Sequence, residues 1–404
     1  MESIIDDRPA LPATFIPSIC ALIITATALP PGLLRVFATL PMAIYLTMLP
    51  LRSNVEAPFA ARCSLNFAVW VLVHHYVDRV ILSNPDKERW HRKINGKKDP
   101  KAPVPKTFTS RLWWALTMMG AQRGVGWSHE VKNVEEGVPA GYPRWKFVLR
   151  HLARAAWFTV VRDLYKIYTA NTPYGSWGGS GKVPGSFLDS EPFLSQVFLV
   201  WIHVFMVYAS SCADVSLIYA AGVAVGVFKP EECRPLFGDL RTMTSIRRTW
   251  SVTWHQLFRR INTFPSTYLV KTLLQLRPGT FLSRYSQLFL GFAVSGFMHA
   301  MAAIYTAGYE CGEMRFFLSQ ALAIMVEDHV IEFGKYLGLG TGKGRWERRI
   351  WAVVGWVWTV AWFSWSLRDW IGRNVAEGSW EHGQVKDFGV GVEAFLMDRG
   401  LVGV

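Results

Sequence analysis

The apolar residues of this chain are gathered into blocks about as long as a bilayer is thick, and the charged residues are collected between them. That segregation leaves few folds open. A stretch of roughly 20 apolar residues can cross hydrocarbon as a helix, because each backbone N–H and C=O then finds its partner inside the segment. The blocks are Leu11–Leu29, Leu33–Leu49, Ser64–Leu82, Leu194–Ala209, Ala213–Phe228, Leu288–Ala307, Phe316–Val330 and Trp351–Trp365. Several are short and open to tilt, so the expectation is an all-α polytopic membrane protein with about eight spans plus interfacial helices. With 51% hydrophobic residues against 18% charged, the chain lacks the surface chemistry of a soluble enzyme.

The connections set a topology. Leu11–Leu29 is preceded by Arg8 beside Asp6 and Asp7, without the basic lead and small-residue cleavage site of a secretory signal, so it reads as a retained first span. The loop Asn84–Thr107 holds eight Lys/Arg against three Asp/Glu, and Lys229–Arg260 and Lys335–Arg349 are also basic. Positive-inside bias places these on the cytosolic face and the acidic N-terminus on the lumenal one, with the endoplasmic reticulum as the expected membrane. The reading is of one membrane-embedded domain, 1–404, with a basic cytosolic loop at 84–108, a second at 229–262 and a tail at 371–404. The net charge of +13 sits beside the membrane, where anionic lipid or an anionic cofactor can meet it, so no nucleic-acid partner is needed. The segment Phe147–Tyr168, with Arg150, Arg154, Arg162, Asp163 and Lys166 among its aromatic residues, fits either an interfacial helix or a span lining a polar cavity.

Several chemistries are set aside. The five cysteines have no ligand spacing. Gly178–Lys182 (GGSGK) and Gly340–Gly344 (GTGKG) lack the leading glycine and the Ser/Thr of a phosphate loop. His74 and His75 are adjacent and point about 100° apart on a helix, so they form no same-face pair. No HxxxH cluster is present to hold iron and no DxxxD pair to hold magnesium, and no metal is expected.

What remains is a polar constellation in the second half. His299 is the one group in Gly291–Ala307 that ionises near neutral pH, and an imidazole halfway through a span is costly unless paired or facing a cavity. Ser295 and Gly291 precede it by one and two turns, giving a small-residue face for close approach of another helix. His255 lies in Thr244–Arg260 with Arg247, Arg248, Trp250 and Trp254. That segment fits either a cytosolic-surface site, in which arginines hold phosphate and the imidazole reaches inward, or an interfacial amphipathic helix with snorkelling arginines. Gln320 and Glu327 fall in the next block; Glu327, Asp328 and His329 read as orienting groups or as ordinary interface charge.

At these residues the chain resembles the wax-synthase-like branch of the membrane-bound O-acyltransferases, and within it the fungal acetyltransferases that act on terpenoids and meroterpenoids. Arg123–Trp127 (RGVGW) resembles the family's RG-x-GW element. Ser245–Gln256 (SIRRTWSVTWHQ) is similar to its S-L-R-D-F-W-G-R-R-W-H-Q block, Ser295–His299 (SGFMH) to its SG-x-x-H element, and Phe316–Glu327 to the FF-x-x-Q…E segment that follows. Arg248 stands where the pattern has Asp, and Ser251, Val252 and Thr253 replace Gly-Arg-Arg.

The resemblance implies a helical bundle with an intramembrane reaction chamber, acetyl-CoA as acyl donor and a lipophilic alcohol as acceptor. It also implies His299 as general base, assisted by His255. Arg247, Arg248 and Trp254 would then serve the cofactor, and Ser295, Gln256, Gln320 and Glu327 would support the site. The activity implied is O-acetylation of a polycyclic secondary metabolite. Long-chain wax ester synthesis is the alternative within the enzyme class, and a non-enzymatic transporter the alternative outside it. Oligomeric state is not legible.

Overall fold

The computed structural model describes residues 8–93, 97–99, 101–178, 185–340 and 344–383. Most of both glycine-lysine turns, the first seven residues, and the tail beyond 383 lie outside the described residues. The helices are α1 (Phe15–Ala28), α2 (Leu33–Met48), α3 (Phe59–Tyr76), α4 (Phe108–Gly120), α5 (Arg144–Ala170), α6 (Phe193–Ala224), the single turn α7 (Ile246–Arg248), α8 (Arg259–Tyr268), α9 (Phe281–Ala307), α10 (Glu313–Tyr336) and α11 (Arg345–Ala376). Two short strands, β1 (Ser176–Trp177) and β2 (Glu381–His382), pair in parallel.

Four helical segments are long and apolar enough to cross a membrane: Leu33–Arg52, Phe193–Ala224, Phe281–Ala307 and Arg345–Ala376. They make the protein an integral membrane protein. The blocks Leu194–Ala209 and Ala213–Phe228, expected as separate spans, are one continuous helix of 32 residues. The polar interruption does not break it, because Ser210 and Ser216 return their hydroxyls to the carbonyls of Met206 and Cys212, at 2.8 and 2.6 Å, and no proline intervenes. Blocks Ser64–Leu82 and Phe316–Val330 coincide with α3 plus its π-helical extension Val77–Leu82, and with α10.

The chain divides into two compact units. The first comprises Met1–Glu56, Leu65–Glu136 and Phe237–Thr359. Its core includes Phe15, Ile19 and Ile23 of α1 against Val69, Leu72 and Tyr76 of α3. A second cluster joins Trp70 and Val71 of α3 to Ile261 of α8 and Met298 of α9. Local chemistry sets the ends of α9: the Thr280 hydroxyl accepts the Ser283 N–H at 3.3 Å, and Gly308 closes the helix in the left-handed region at φ 88°. A buried carboxylate on the α3 extension, Asp78, accepts from Arg260 of α8 at 2.8 and 3.2 Å and from Ser83 at 2.7 Å. This pair joins the two elements that carry Phe67 and Phe258.

The second unit comprises Ala57–Ser64, Gly137–Leu236 and Val360–Val404. Here α5 and α6 run antiparallel along their length, from Arg144 Nη2 donating to Val223 O at 2.5 Å at one end to Tyr168 against Phe198 at the other. Phe147, Val223 and Cys233 form its core at the first of these ends.

Candidate active site

The site-bearing segment is built on a single turn of helix. Ser245 caps α7, its hydroxyl accepting the Arg248 N–H at 3.0 Å. The other free N–H groups of that turn meet a carboxylate from α10: Glu327 accepts from Ile246 N at 2.8 Å, from Arg247 N at 3.1 Å and from Trp358 Nε1 at 3.0 Å. An anion at a helix N-terminus is favoured by both the unpaired donors and the dipole. The neighbouring Asp328 takes the Arg247 guanidinium at 2.9 and 2.5 Å, with Arg284 at 2.7 Å and the Tyr285 hydroxyl at 3.1 Å. Glu327 and Asp328 therefore fasten α7 to α10.

From α7 the chain continues as a π-helical turn, Thr249–Thr253, and then leaves helical geometry at Trp254. Gln256 is buried and holds this exit, donating to Trp250 O at 3.0 Å and Trp254 O at 2.6 Å while accepting from Arg259 at 2.9 Å. Buried Gln320 accepts from Trp250 Nε1 at 3.4 Å. These bonds present His255 to the interior of the unit, with its ring against Phe258 at 5.1 Å, Trp254 at 5.5 Å and Phe237 at 5.7 Å between centroids. Its Nδ1 is buried and makes no hydrogen bond to another residue. Burial, with the Arg123 guanidinium adding to it, holds the His255 imidazole down at about 4, so it is neutral at physiological pH.

His299 lies on α9 between two phenyl rings, Phe67 of α3 at 4.4 Å and Phe317 of α10 at 4.8 Å. The close approach behind it comes from Gly296: a Cβ there would stand 3.1 Å from both Met314 Sδ and Phe317 Cβ. At Gly291, from the expected small-residue face, an added Cβ would meet α8 only at ordinary van der Waals distance. Ser295 is half-buried one turn before His299. Phe67 in turn packs edge-on against Phe258 at 5.4 Å, so the two histidines are joined through a pair of phenyl rings and lie within electrostatic reach of each other. Each of the two histidines keeps a minor part of its surface accessible despite its interior position.

The expected residues thus fall in one unit in two roles. His299 and His255 converge, with Trp254 beside the second. Glu327, Gln256 and Gln320 are engaged in holding backbone and indole groups. Arg247 is paired with Asp328, whereas Arg248 is exposed and makes no ion pair among the described residues. The sequence marks Phe258 only as one aromatic residue of the His255 segment and Phe317 only within the Phe316–Glu327 element; Phe67 and the Asp78–Arg260 pair went unmarked. A carboxylate inside an apolar block demands a cation, and that demand was the available signal for the pair.

The family model of the membrane bound O-acyl transferase family matches residues 233–319, a window that holds both histidines. Acetyltransferase sirH of Leptosphaeria maculans is 35% identical over 393 residues, covering 93% of this chain and 95% of the relative. The chain belongs to the membrane bound O-acyl transferase family. It is accordingly an acyltransferase, and it resembles fungal acetyltransferases. Acetyltransferase ple2 of Rhodocybe pseudopiperita is 29% identical, covering 76% of this chain and 77% of its own. O-Mevalon transferase macI of Penicillium terrestre is 28% identical, covering 73% and 69%. No solved structure matches this O-acyltransferase.

Proposed function

We propose that this O-acyltransferase moves acetyl from acetyl-CoA to a hydroxyl of a terpenoid, meroterpenoid or related polycyclic metabolite, with His299 as general base. The observation that carries the reading is the convergence of His299 and His255 in the interior, each with a minor part of its surface accessible to a reactant. The names of the relatives support acetyl as the group transferred.

In the reaction, His299 takes the proton of the acceptor hydroxyl as its oxygen attacks the thioester carbonyl. The carbonyl π electrons move to oxygen, where the neutral His255 ring donates an N–H to the developing oxyanion. Collapse of the tetrahedral species breaks the C–S bond, and the imidazolium of His299 returns its proton to the departing CoA thiolate. The thioester is already activated, so no covalent acyl-enzyme is needed.

Arg248 holds a CoA phosphate, Trp254 borders the donor, and Arg247 belongs to the scaffold because Asp328 already engages its guanidinium. The acceptor enters as a lipophilic alcohol from the bilayer of the endoplasmic reticulum, with the basic loops cytosolic. Ser295 leaves room beside the base on α9. The test is a matrix of acetyl- to palmitoyl-CoA against polycyclic and linear alcohols in membranes holding the enzyme. Polycyclic products heavier by one acetyl group are expected. Preferential joining of palmitoyl-CoA to a linear alcohol would replace the reading with wax ester synthesis. Solute transport without release of free CoA thiol would replace it with a transporter.

A further inference from the structure

Helix α5 has the wrong composition for a membrane span and the right surface for one. Arg150, Arg154, Arg162, Asp163 and Lys166 keep it out of the apolar set. Yet Leu149, Leu152, Trp157, Val160 and Leu164 are all exposed along one side, at 37 to 64% of their full area. Residues on the opposite side, Phe147, Ala155 and Thr169, are buried.

Three of the basic residues sort with this division. Arg154, Arg162 and Lys166 share the inward face at helical spacing. Arg154 lies over the Phe158 ring at 5.2 Å and within electrostatic reach of Cys212 of α6. Arg162 is bonded to Asp163 at 3.0 Å, and both Arg162 and Lys166 lie within electrostatic reach of Asp214 of α6. Arg150 is exposed two turns from the start, where its long side chain can reach the near interface.

We infer that α5 crosses the bilayer, its apolar side against lipid acyl chains and its charged side against α6. Length agrees: the helix has 27 residues, about 40 Å at 1.5 Å per residue, against a hydrocarbon thickness of about 30 Å. Exposed Trp145 and Tyr168 stand about 34 Å apart along the axis, the separation of two interfacial aromatic belts. The partner decides the orientation. α6 is long and apolar enough to span, and α5 runs antiparallel to it from one end to the other, so an α5 lying flat on the interface would take α6 out of the membrane with it. A helix whose polar face is turned inward and whose apolar face is turned outward is in its lowest-energy solvent when that solvent is lipid.

The inference fixes sidedness. The segment before α5 and the segment after α6 share one face of the membrane, and the connection between the helices is on the other. The test places single cysteines at exposed Ala140, Asp189 and Lys229 in a cysteine-free background, and labels sealed vesicles with an impermeant maleimide before and after permeabilisation. Positions 140 and 229 should behave alike, with 189 reversed. Positions 140 and 189 on the same side, with 229 opposite, would lay α5 flat, and all three on one side would remove both helices from the membrane. Either result overturns the inference. If the cysteine-free protein does not fold, a short epitope inserted at the same positions in the otherwise native chain, read by antibody before and after permeabilisation, returns the same three-way pattern.

Discussion

His255 and His299 come from elements separated in the chain and are joined ring to ring through Phe258 and Phe67, at successive centroid separations of 5.1, 5.4 and 4.4 Å. Phe67 sits on α3 and Phe258 at the entry to α8, and the Asp78–Arg260 ion pair couples these two elements. The spacing of the imidazoles is therefore set by an apolar wedge with a charged clasp.

Changes at His255 and Arg248 are expected to separate kinetically. His255→Ala removes a donor used in the transition state and should lower kcat by about 10²-fold with little change in the KM for acetyl-CoA. Arg248→Ala removes a contact made equally in ground and transition states and should raise that KM with kcat retained. Steady-state kinetics on both variants checks this; an unchanged KM in Arg248→Ala would return that residue to the lipid surface.

Glu327 is expected to be a stability residue. Glu327→Ala takes the acceptor from the N–H groups of Ile246 and Arg247 and from the Trp358 indole, at about 1–3 kcal/mol for the buried Ile246 donor and less for the two part-buried ones. Glu327→Gln keeps one acceptor oxygen and should cost less. Thermal unfolding in detergent should order the melting temperatures as parent, Gln, Ala; equal values for all three would contradict the capping role.

Gly296→Val drives branched carbon into Met314 and Phe317, where even a Cβ has 3.1 Å of room. Overpacking of this kind costs about 1–3 kcal/mol, and it displaces the ring that faces His299. A misplacement near 1 Å can cost about 10²-fold in rate, so turnover should fall much more than folded yield. Gly296→Ala should be mild, and parental turnover in the Val variant would show that the α9–α10 spacing does not govern the site.

Acid should weaken the fold before it protonates the site. Burial holds His255 at about 4, and burial with nearby Lys166 and His203 holds His382 at about 3, whereas unfolded histidines titrate near 6.5. Between these limits the unfolded chain binds protons that the folded chain refuses, so stability is full above about pH 7 and declines as pH falls from about 6.5 toward 4. The melting temperature should drop by several degrees between pH 7.5 and 5, and His382→Gln should flatten the slope. A pH-independent melting temperature over that range would contradict the buried neutral state.

Much of this was legible in the residues because membrane hydrocarbon leaves a coarse signature. His299 stood out as the lone group ionising near neutral pH in an apolar run, and the motif around His255 marked the second histidine. What eluded the sequence lies in long-range geometry. Ser210 and Cys212 look like a break between spans, but hydroxyls that bond back to their own helix keep α6 continuous. Arg247 and Arg248 are equivalent in composition, and only the position of Asp328 separates the paired one from the exposed one. Phe67, Phe258 and Phe317 are indistinguishable from any core aromatic until the helices are packed.

The proposed role of His299 as general base of acetyl transfer stands or falls on the turnover of His299→Ala against the parent, with acetyl-CoA and a polycyclic alcohol, on protein shown to be folded by its melting temperature. Both the ester formed and the CoA thiol released should fall by at least about 10²-fold. A folded His299→Ala enzyme with near-parental turnover would contradict that role.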